Sequence, residues 1–462
     1  MTPGAAAGPA LGWRDCARYG TLGLPLAFVA LPLYVILPNH YAREFGVPLA
    51  LLGWLLLGAR LFDAVIDPLL GRWADRLFAR SHAAVLGYGA LAAGLLGLGF
   101  AALFFPLPGV RAAAGDEGTG LLLPWAAVAL LLTYTAFSAL SISHQSWGAR
   151  LGGDELQRSR IVAWREALGL VGVVLASIVP VALGLPATTA IFFIALIIGW
   201  LAWSRAPRPA GGFAASPNTV TAAAIRPDPT GAAATSQADS PPTANAQLAP
   251  VTLWHPFSQP AFRRLLMVFM LNGIASAIPA TLVLFFVQDR LQAPEALQPA
   301  FLGSYFVCAA LSIPLWLMGV RRIGLARCWL LGMGLAVAVF IWALQLGAGD
   351  SNAFLVVCAL SGVALGTDLA LPGAMLAGVI QRAGDSGHAE GSYFGWWNFA
   401  TKLNLALAAG LALPLLELFG YSPGVRDPLA LQALSFAYCL LPCALKLAAA
   451  ALLYTLILRK PV

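Results

Sequence analysis

The stretch ARLFDAVIDPLLGRWADR, residues 59–76, decides how this chain is read. It sets Arg60, Asp63 and Asp67 inside a segment that is otherwise apolar from about Val47 to Gly71. A run of that length can cross a hydrocarbon core about 30 Å thick, which takes roughly 20 helical residues. A charge near the middle of such a helix costs about 2.5–3.5 kcal/mol on insertion scales, so each one needs a partner, a water-filled cavity or a task. Spacings of three and four stack Arg60, Asp63 and Asp67 on one face, and a face with two acids and a base does not point at lipid.

The rest of the chain agrees with a membrane setting. Of its 462 residues 60% are hydrophobic and 10% charged, and the mean hydropathy is +0.80, far from the soluble globular range. Apolar windows of spanning length recur near residues 18–42, 48–71, 82–106, 121–150, 160–184, 186–204, 262–288, 299–320, 325–346, 352–381, 391–418 and 430–458. They are continuous rather than alternating, which excludes a β-barrel. The expected fold is an all-α integral membrane protein with twelve transmembrane helices. The opening MTPGAAAGPALGWRDCARYG lacks a signal-peptide arrangement, so the N-terminus is placed in the cytoplasm. With that placement only Arg43, Arg111, Arg290 and Arg426 fall outside, and the other loop arginines, with Lys460, fall inside. This bias supports an even number of spans with both termini cytoplasmic. The net charge of +7 is thus a topology signal, and no nucleic-acid partner is expected. The six cysteines are scattered without metal or redox spacing; Cys439 and Cys443, one helical turn apart, read as packing.

Residues 205–258 are rich in Ala, Pro, Thr and Ser and read as a disordered cytoplasmic linker. They divide the chain into an N-terminal six-helix bundle (1–204) and a C-terminal six-helix bundle (259–462), an architecture suited to rocking around a central site. The halves echo each other, with GRWADRLFAR after the second window and GVRRIGLAR after the eighth. GRWADR resembles part of the loop signature of the major facilitator superfamily, G-x-x-x-D-R, at Gly71, Asp75 and Arg76. Its physical reading is a conformational latch: a glycine for close helix approach and an Asp–Arg pair at the helix ends. The second loop keeps Gly319, Arg321 and Arg322 but has no acid, which suggests one strong latch.

The other intramembrane candidates are Arg165, Glu166, Asp368, Lys402 and Lys446. Asp63 and Asp67 are the candidate cation ligands. Two carboxylates one turn apart either hold a sodium ion together with hydroxyl oxygens or share a proton. The plain alternative is that Arg60 and Arg165 neutralise them and staple helices together. The fourth window offers a polar stripe, Tyr134, Ser138, Ser141, His144, Gln145 and Trp147, suited to a cavity or to interhelical bonds. His144 reads either as a titratable group near the pathway or as a polar residue bonded across helices. Sequence neighbours point about 100° apart on a helix, so Arg165 is assigned to an anionic or polar substrate group and Glu166 to a structural pair. Trp397, Asn398 and Lys402 complete the substrate candidates, with Asn398 and Lys402 on one face and Asn272 nearby in the inventory. Asp368 is left open between cavity and helix–helix bond.

RLFDAVIDPLLGRWADR also resembles the second-span signature of the glycoside-pentoside-hexuronide cation symporters, the melibiose-permease-like branch of the major facilitator superfamily. The resemblance implies the major facilitator fold, with two pseudo-symmetric bundles. It also implies that Asp63 and Asp67 are the cation-site carboxylates. ISHQSWGARLGGDELQRSRIVAWREALG is similar to the fourth-span, loop and fifth-span pattern, with Arg165 on its arginine. GSYFGWWNFATKLNLALAAGLALPLLELFGY is similar to the eleventh span, whose lysine, here Lys402, faces the cation site. The chain departs from sugar-transporting relatives in its first span, with Leu24 and Pro25, and in its fourth, with Ser141, where acids are the rule; Ser138 can still supply a hydroxyl to a cation. These departures weaken a sugar cargo more than they weaken symport.

The expected function is secondary active transport of a small polar solute such as a sugar or glycoside. Coupling is to sodium, with a metal site at Asp63 and Asp67, or to a proton, and no other cofactor is expected. A lysolipid, amphiphile or organic-anion carrier and a non-transporting receptor or scaffold are the alternatives. No metalloenzyme motif, nucleophile constellation or phosphate-binding Gly loop is present, so an enzyme is not expected. The setting expected is the lipid bilayer of a bacterial inner membrane, with the chain monomeric.

Overall fold

The computed structural model describes residues 11–47, 49–112, 120–209, 252–418, 420–421, 424 and 426–459, and among these every regular element is helical. In chain order they are α1 (Trp13–Gly20), α2 (Gly23–Leu31), α3 (Leu37–Glu44), α4 (Leu49–Arg80), α5 (His82–Phe104), α6 (Pro108–Ala112), α7 (Leu122–Arg150), α8 (Glu155–Ser204), α9 (His255–Ser258), α10 (Pro260–Phe285), α11 (Gln298–Ile323), α12 (Leu325–Ala343), α13 (Ser351–Arg382), α14 (Glu390–Leu418), α15 (Pro428–Ser435) and α16 (Leu441–Leu453). Single π-helical turns at Pro32–Ile36 and Phe436–Leu440 join α2 to α3 and α15 to α16.

Among the described residues nine helical stretches are long and apolar enough to cross a membrane, fewer than the twelve expected. The three other windows are helical as well, as α1–α3, α4 and α14, and the last two carry the buried charges of the site. Continuous helix over α8 is only apparent. Gly184, at φ +78° between Pro180 and Pro186, turns the chain between two apolar stretches, Glu155–Pro180 and Ala182–Ser204. Helix starts have local causes: the Ser81 side chain accepts from Ala84 N at 3.0 Å, and that of Asp154 from Gln157 N at 2.8 Å.

One apolar cluster is built from residues between Cys16 and Ala206, and a second from residues between Ala277 and Cys439. A third mixes Ala74, Ile142, Val162 and Ala163 with Phe262, Trp329, Met375 and Phe394, and forms a seam between them. Where α4 and α14 cross this seam their backbones touch. A Cβ on Gly71 would lie 2.1 Å from Gly391 O, and one on Gly395 2.6 Å from Asp67 O. Only glycine permits that approach.

Residues 210–251, most of the stretch read as linker, lie outside the described residues. Residues 252–258, also assigned to it, are ordered against α14. Trp396 Nε1 donates to Leu253 O at 2.8 Å, Trp254 and Phe257 pack on the Trp396 ring, and His255 meets Asp385 at 2.9 Å. The aromatic and histidine side chains in this short run, unlike its Ala- and Pro-rich remainder, have surface to bury.

Candidate functional site

The register of α4 builds the site. Leu61, Val65 and Leu69 recur every four residues and are exposed, forming an apolar stripe a bilayer can cover. Asp63, Asp67 and Gly71 recur with the same period two residues later and turn inward; Asp63 is 4% and Asp67 0% exposed. Arg60 does not join that pair: it is exposed and lies beside Tyr134, close enough to act on it electrostatically.

The ammonium of Lys402 on α14 fills the space between the two carboxylates. Its Nζ lies 2.7 Å from Asp63 Oδ2 and 2.7 Å from Asp67 Oδ2, with Asp67 Oδ1 at 2.9 Å and Ser138 Oγ at 2.8 Å. Ser138 Oγ, on α7, lies 2.8 Å from Asp63 Oδ1. Three helices from both halves of the chain thus converge on one point. Oxygens of this number and hardness suit a sodium ion or a proton as well as an ammonium. Two buried carboxylates face a single ammonium, whose own side chain is 20% exposed.

Beside it lies a softer bridge between the halves: Gln145 Nε2 donates to Ser141 Oγ at 2.8 Å and to Asn398 Oδ1 at 3.3 Å. Of the other substrate candidates, Arg165 lines a cleft together with Gln145. His144 Nε2 lies 2.8 Å from the carbonyl of Tyr19, so that nitrogen carries the proton; its ring stacks on Tyr19 at 4.3 Å and meets Trp203 edge-on. It pins α7 to α1 inside the N-terminal half. Arg165 and Glu166, assigned to different partners, bind each other, with Arg165 Nε 3.0 Å from Glu166 Oε1. Their Cα–Cβ vectors diverge as helix geometry requires, but long side chains curl back across that angle. Trp397 stacks on Phe269 at 3.7 Å and is buried.

The latch region is also rearranged relative to expectation. Asp75 is buried, but its arginine is Arg150 of α7, at 3.0 Å, whereas the neighbouring Arg76 is exposed. The Asp75 carboxylate accepts from Gly391 N, Ser392 N and Ser392 Oγ, each at 2.7 Å, and so caps the N-terminus of α14. Arg150 also reaches Glu390 at 2.9 Å and Gly387 O at 2.8 Å. The second-half loop, which lacks an acid, is met by one from the first half: Glu155 Oε2 accepts from Leu325 N at 3.2 Å. The arginine-rich end of the seam is therefore closed at two places. Nothing in the sequence pattern marks Glu390 or Arg150 as a latch residue.

A second buried charge centre lies in the C-terminal half. Asp368 accepts from Asn272 Nδ2 at 3.0 Å and Trp329 Nε1 at 2.8 Å through Oδ1, and from Lys446 Nζ at 2.8 Å and Ser276 Oγ at 3.3 Å through Oδ2. All four of these bonds come from its own half, and with Ser276 and Lys446 the carboxylate also lines a cavity of about 60 Å³ there. Among the described residues no group of three His, Cys, Asp or Glu side chains forms a metal cluster.

Two helical halves with a buried charge cluster at the seam between them suit a membrane transporter, and the comparisons with known proteins bear on that class directly. The fold is shared with a bacterial homologue of the iron transporter ferroportin in an outward-facing state (18% identity, TM-score 0.68, 96% of this chain and 100% of that one). It is also shared with the E. coli fucose:proton symporter (13%, 0.61, 95% and 97%) and with the human organic anion transporter MFSD10 (17%, 0.58, 95% and 99%). No curated protein sequence matches the chain. The family model described as MFS/sugar transport protein matches residues 18–460, and the chain belongs to that family. It is a multi-pass membrane protein that moves small molecules.

Proposed function

We propose that this protein is a cation-coupled symporter of a small polar solute such as a sugar or glycoside. It works by alternating access between two six-helix bundles of twelve spans in all, with its arginine-rich end in the cytoplasm of a bacterium. The observation that carries this reading is the Lys402 ammonium chelated by Asp63, Asp67 and Ser138 across the seam. A sodium ion or proton entering from the open side takes over the carboxylates and frees Lys402, which removes one tie between α14 and α4. The Gln145–Asn398 bridge lies next to this point, and solute hydroxyls can replace both of its partners. Cation and solute together compensate for the ties broken as the halves separate, and neither does so alone, which is the condition for coupling. The Arg165–Glu166 pair occupies the Nε–Nη2 edge of the guanidinium, which an organic anion at that position would have to share with Glu166.

The test is thermal stability of the purified protein against panels of sugars, organic acids and lysolipids, each with sodium or at lowered pH, since ligands of the native state stabilise it by mass action. A sugar that stabilises only with the cation supports the reading. A lysolipid or organic acid that does so without any cation contradicts it, as does unimpaired coupled uptake by Asp63→Asn.

A further inference from the structure

Two clefts open at the arginine-rich end, away from the charge cluster. The first, of about 240 Å³, straddles the seam: Arg158 of α8 faces Leu325 of α12, Met375 and Arg382 of α13, and Ile457. The second, of about 280 Å³, lies between the start of α10 and the end of α13 and takes in Arg264 and again Arg382. Arg382 therefore stands between the two.

The positive charge here is only partly compensated. Arg158 donates to Gly153 O at 3.2 Å and to Gln381 Oε1, both neutral, and its Nε is buried without a partner. Glu155 and Asp154 are near enough to attract it and Arg382 to repel it. Among the described residues neither Arg264 nor Arg382 makes an ion pair. Glu155 also lines the first cleft, where its carboxylate attracts Arg158 while one of its oxygens accepts from Leu325 N, so the unpaired positive charge lies at Arg382 and Arg264. Convergent guanidiniums over apolar walls, at the level where a helix bundle meets lipid headgroups, fit a phosphate diester with a glycerol backbone.

We propose that these clefts form a headgroup site for an anionic phospholipid of the leaflet on the arginine-rich side. The lipid phosphate lies against Arg382, with Arg158 on one flank and Arg264 on the other. Because Arg158 and Arg382 belong to opposite halves, an occupied site ties the halves together at the end that Asp75 also closes. The lipid thereby favours the state closed on that side. Nothing in this depends on which solute is carried.

The test uses the full chain in nanodiscs of phosphatidylcholine with or without phosphatidylglycerol, read by thermal stability and by lipid retained in native mass spectrometry. Phosphatidylglycerol is expected to raise the wild-type midpoint. Arg382→Gln is expected to weaken that response about fivefold in lipid concentration, and Arg264→Gln, which touches only the second cleft, to weaken it less. Arg263→Gln removes the same charge from an exposed position of α10 that lines neither cleft, and is expected to change nothing. Equal losses in Arg263→Gln and Arg382→Gln overturn the proposal in favour of diffuse surface attraction. So does a wild type indifferent to phosphatidylglycerol, or an equal shift from inorganic phosphate in phosphatidylcholine alone.

Discussion

Replacing Lys402 by alanine separates the two roles its ammonium plays. The change leaves Asp63 and Asp67, with side chains 5% and 0% exposed, facing each other without a countercharge. Deleting one partner of a buried ion pair costs about 3–5 kcal/mol, so the variant is expected to be markedly less stable than wild type in sodium-free buffer at neutral pH. The same deletion opens the cation site. In the wild type a cation must displace the ammonium, which lowers apparent affinity in proportion to the rarity of the open site. Losing even one charge-assisted hydrogen bond, about 1.5–3 kcal/mol, corresponds to tenfold or more in affinity. Lys402→Ala should therefore respond to sodium, or to acid if the proton is the coupling ion, at a concentration at least about tenfold lower than wild type. Saturation at a hundred times Kd returns about 2.7 kcal/mol of the loss. The assay is thermal unfolding of the purified protein across a sodium series at two pH values. A variant that is as stable as wild type without cation, or that needs more cation than wild type, refutes the reasoning.

Three further outcomes follow from the geometry. Asp75→Asn puts an amide NH2 in place of one carboxylate oxygen, facing either Gly391 N with Arg150 or Ser392 N with Ser392 Oγ, at about 1–3 kcal/mol for each donor left unpaired; maleimide labelling of a cysteine introduced at Ser386 should accelerate as the arginine-rich end opens. Gly71→Ala forces a Cβ against Gly391 O, which it would meet at 2.1 Å, and should speed the same labelling without altering any charge. For Arg165 and Glu166, paired at partly buried positions, each single neutralisation should destabilise more than the double variant Arg165→Gln/Glu166→Gln, a coupling of about 0.5–3 kcal/mol in a double-mutant cycle; additive losses contradict the pair.

Much of this molecule was legible because bilayer physics writes itself into long periods. Apolar windows follow from transfer free energies over some twenty residues, and they place the helices without any tertiary knowledge. The spacing of Asp63 and Asp67 put them on one face for the same reason, and the structure turns that face inward. Details that depend on side-chain reach were less legible. Arg165 and Glu166 were separated by helix geometry, yet their flexible stems bring the charges together. Asp75 was given its sequence neighbour Arg76, but burial at a helix crossing selected Arg150, 75 residues away. His144 faces the N-terminal half's own interior, which the stripe on α7 could not distinguish from the seam, because a polar stripe on one helix carries no information about which neighbour it meets.

The central claim is that a cation competes with Lys402 for Asp63, Asp67 and Ser138, and it can be tested before any solute is known. Protein reconstituted on a solid-supported membrane is exposed to a sodium jump and, separately, to a pH jump, and the displaced charge is recorded. The account predicts a transient current in the wild type for at least one of the two jumps, and none for either in Asp63→Asn/Asp67→Asn. Equal currents in both proteins would contradict it.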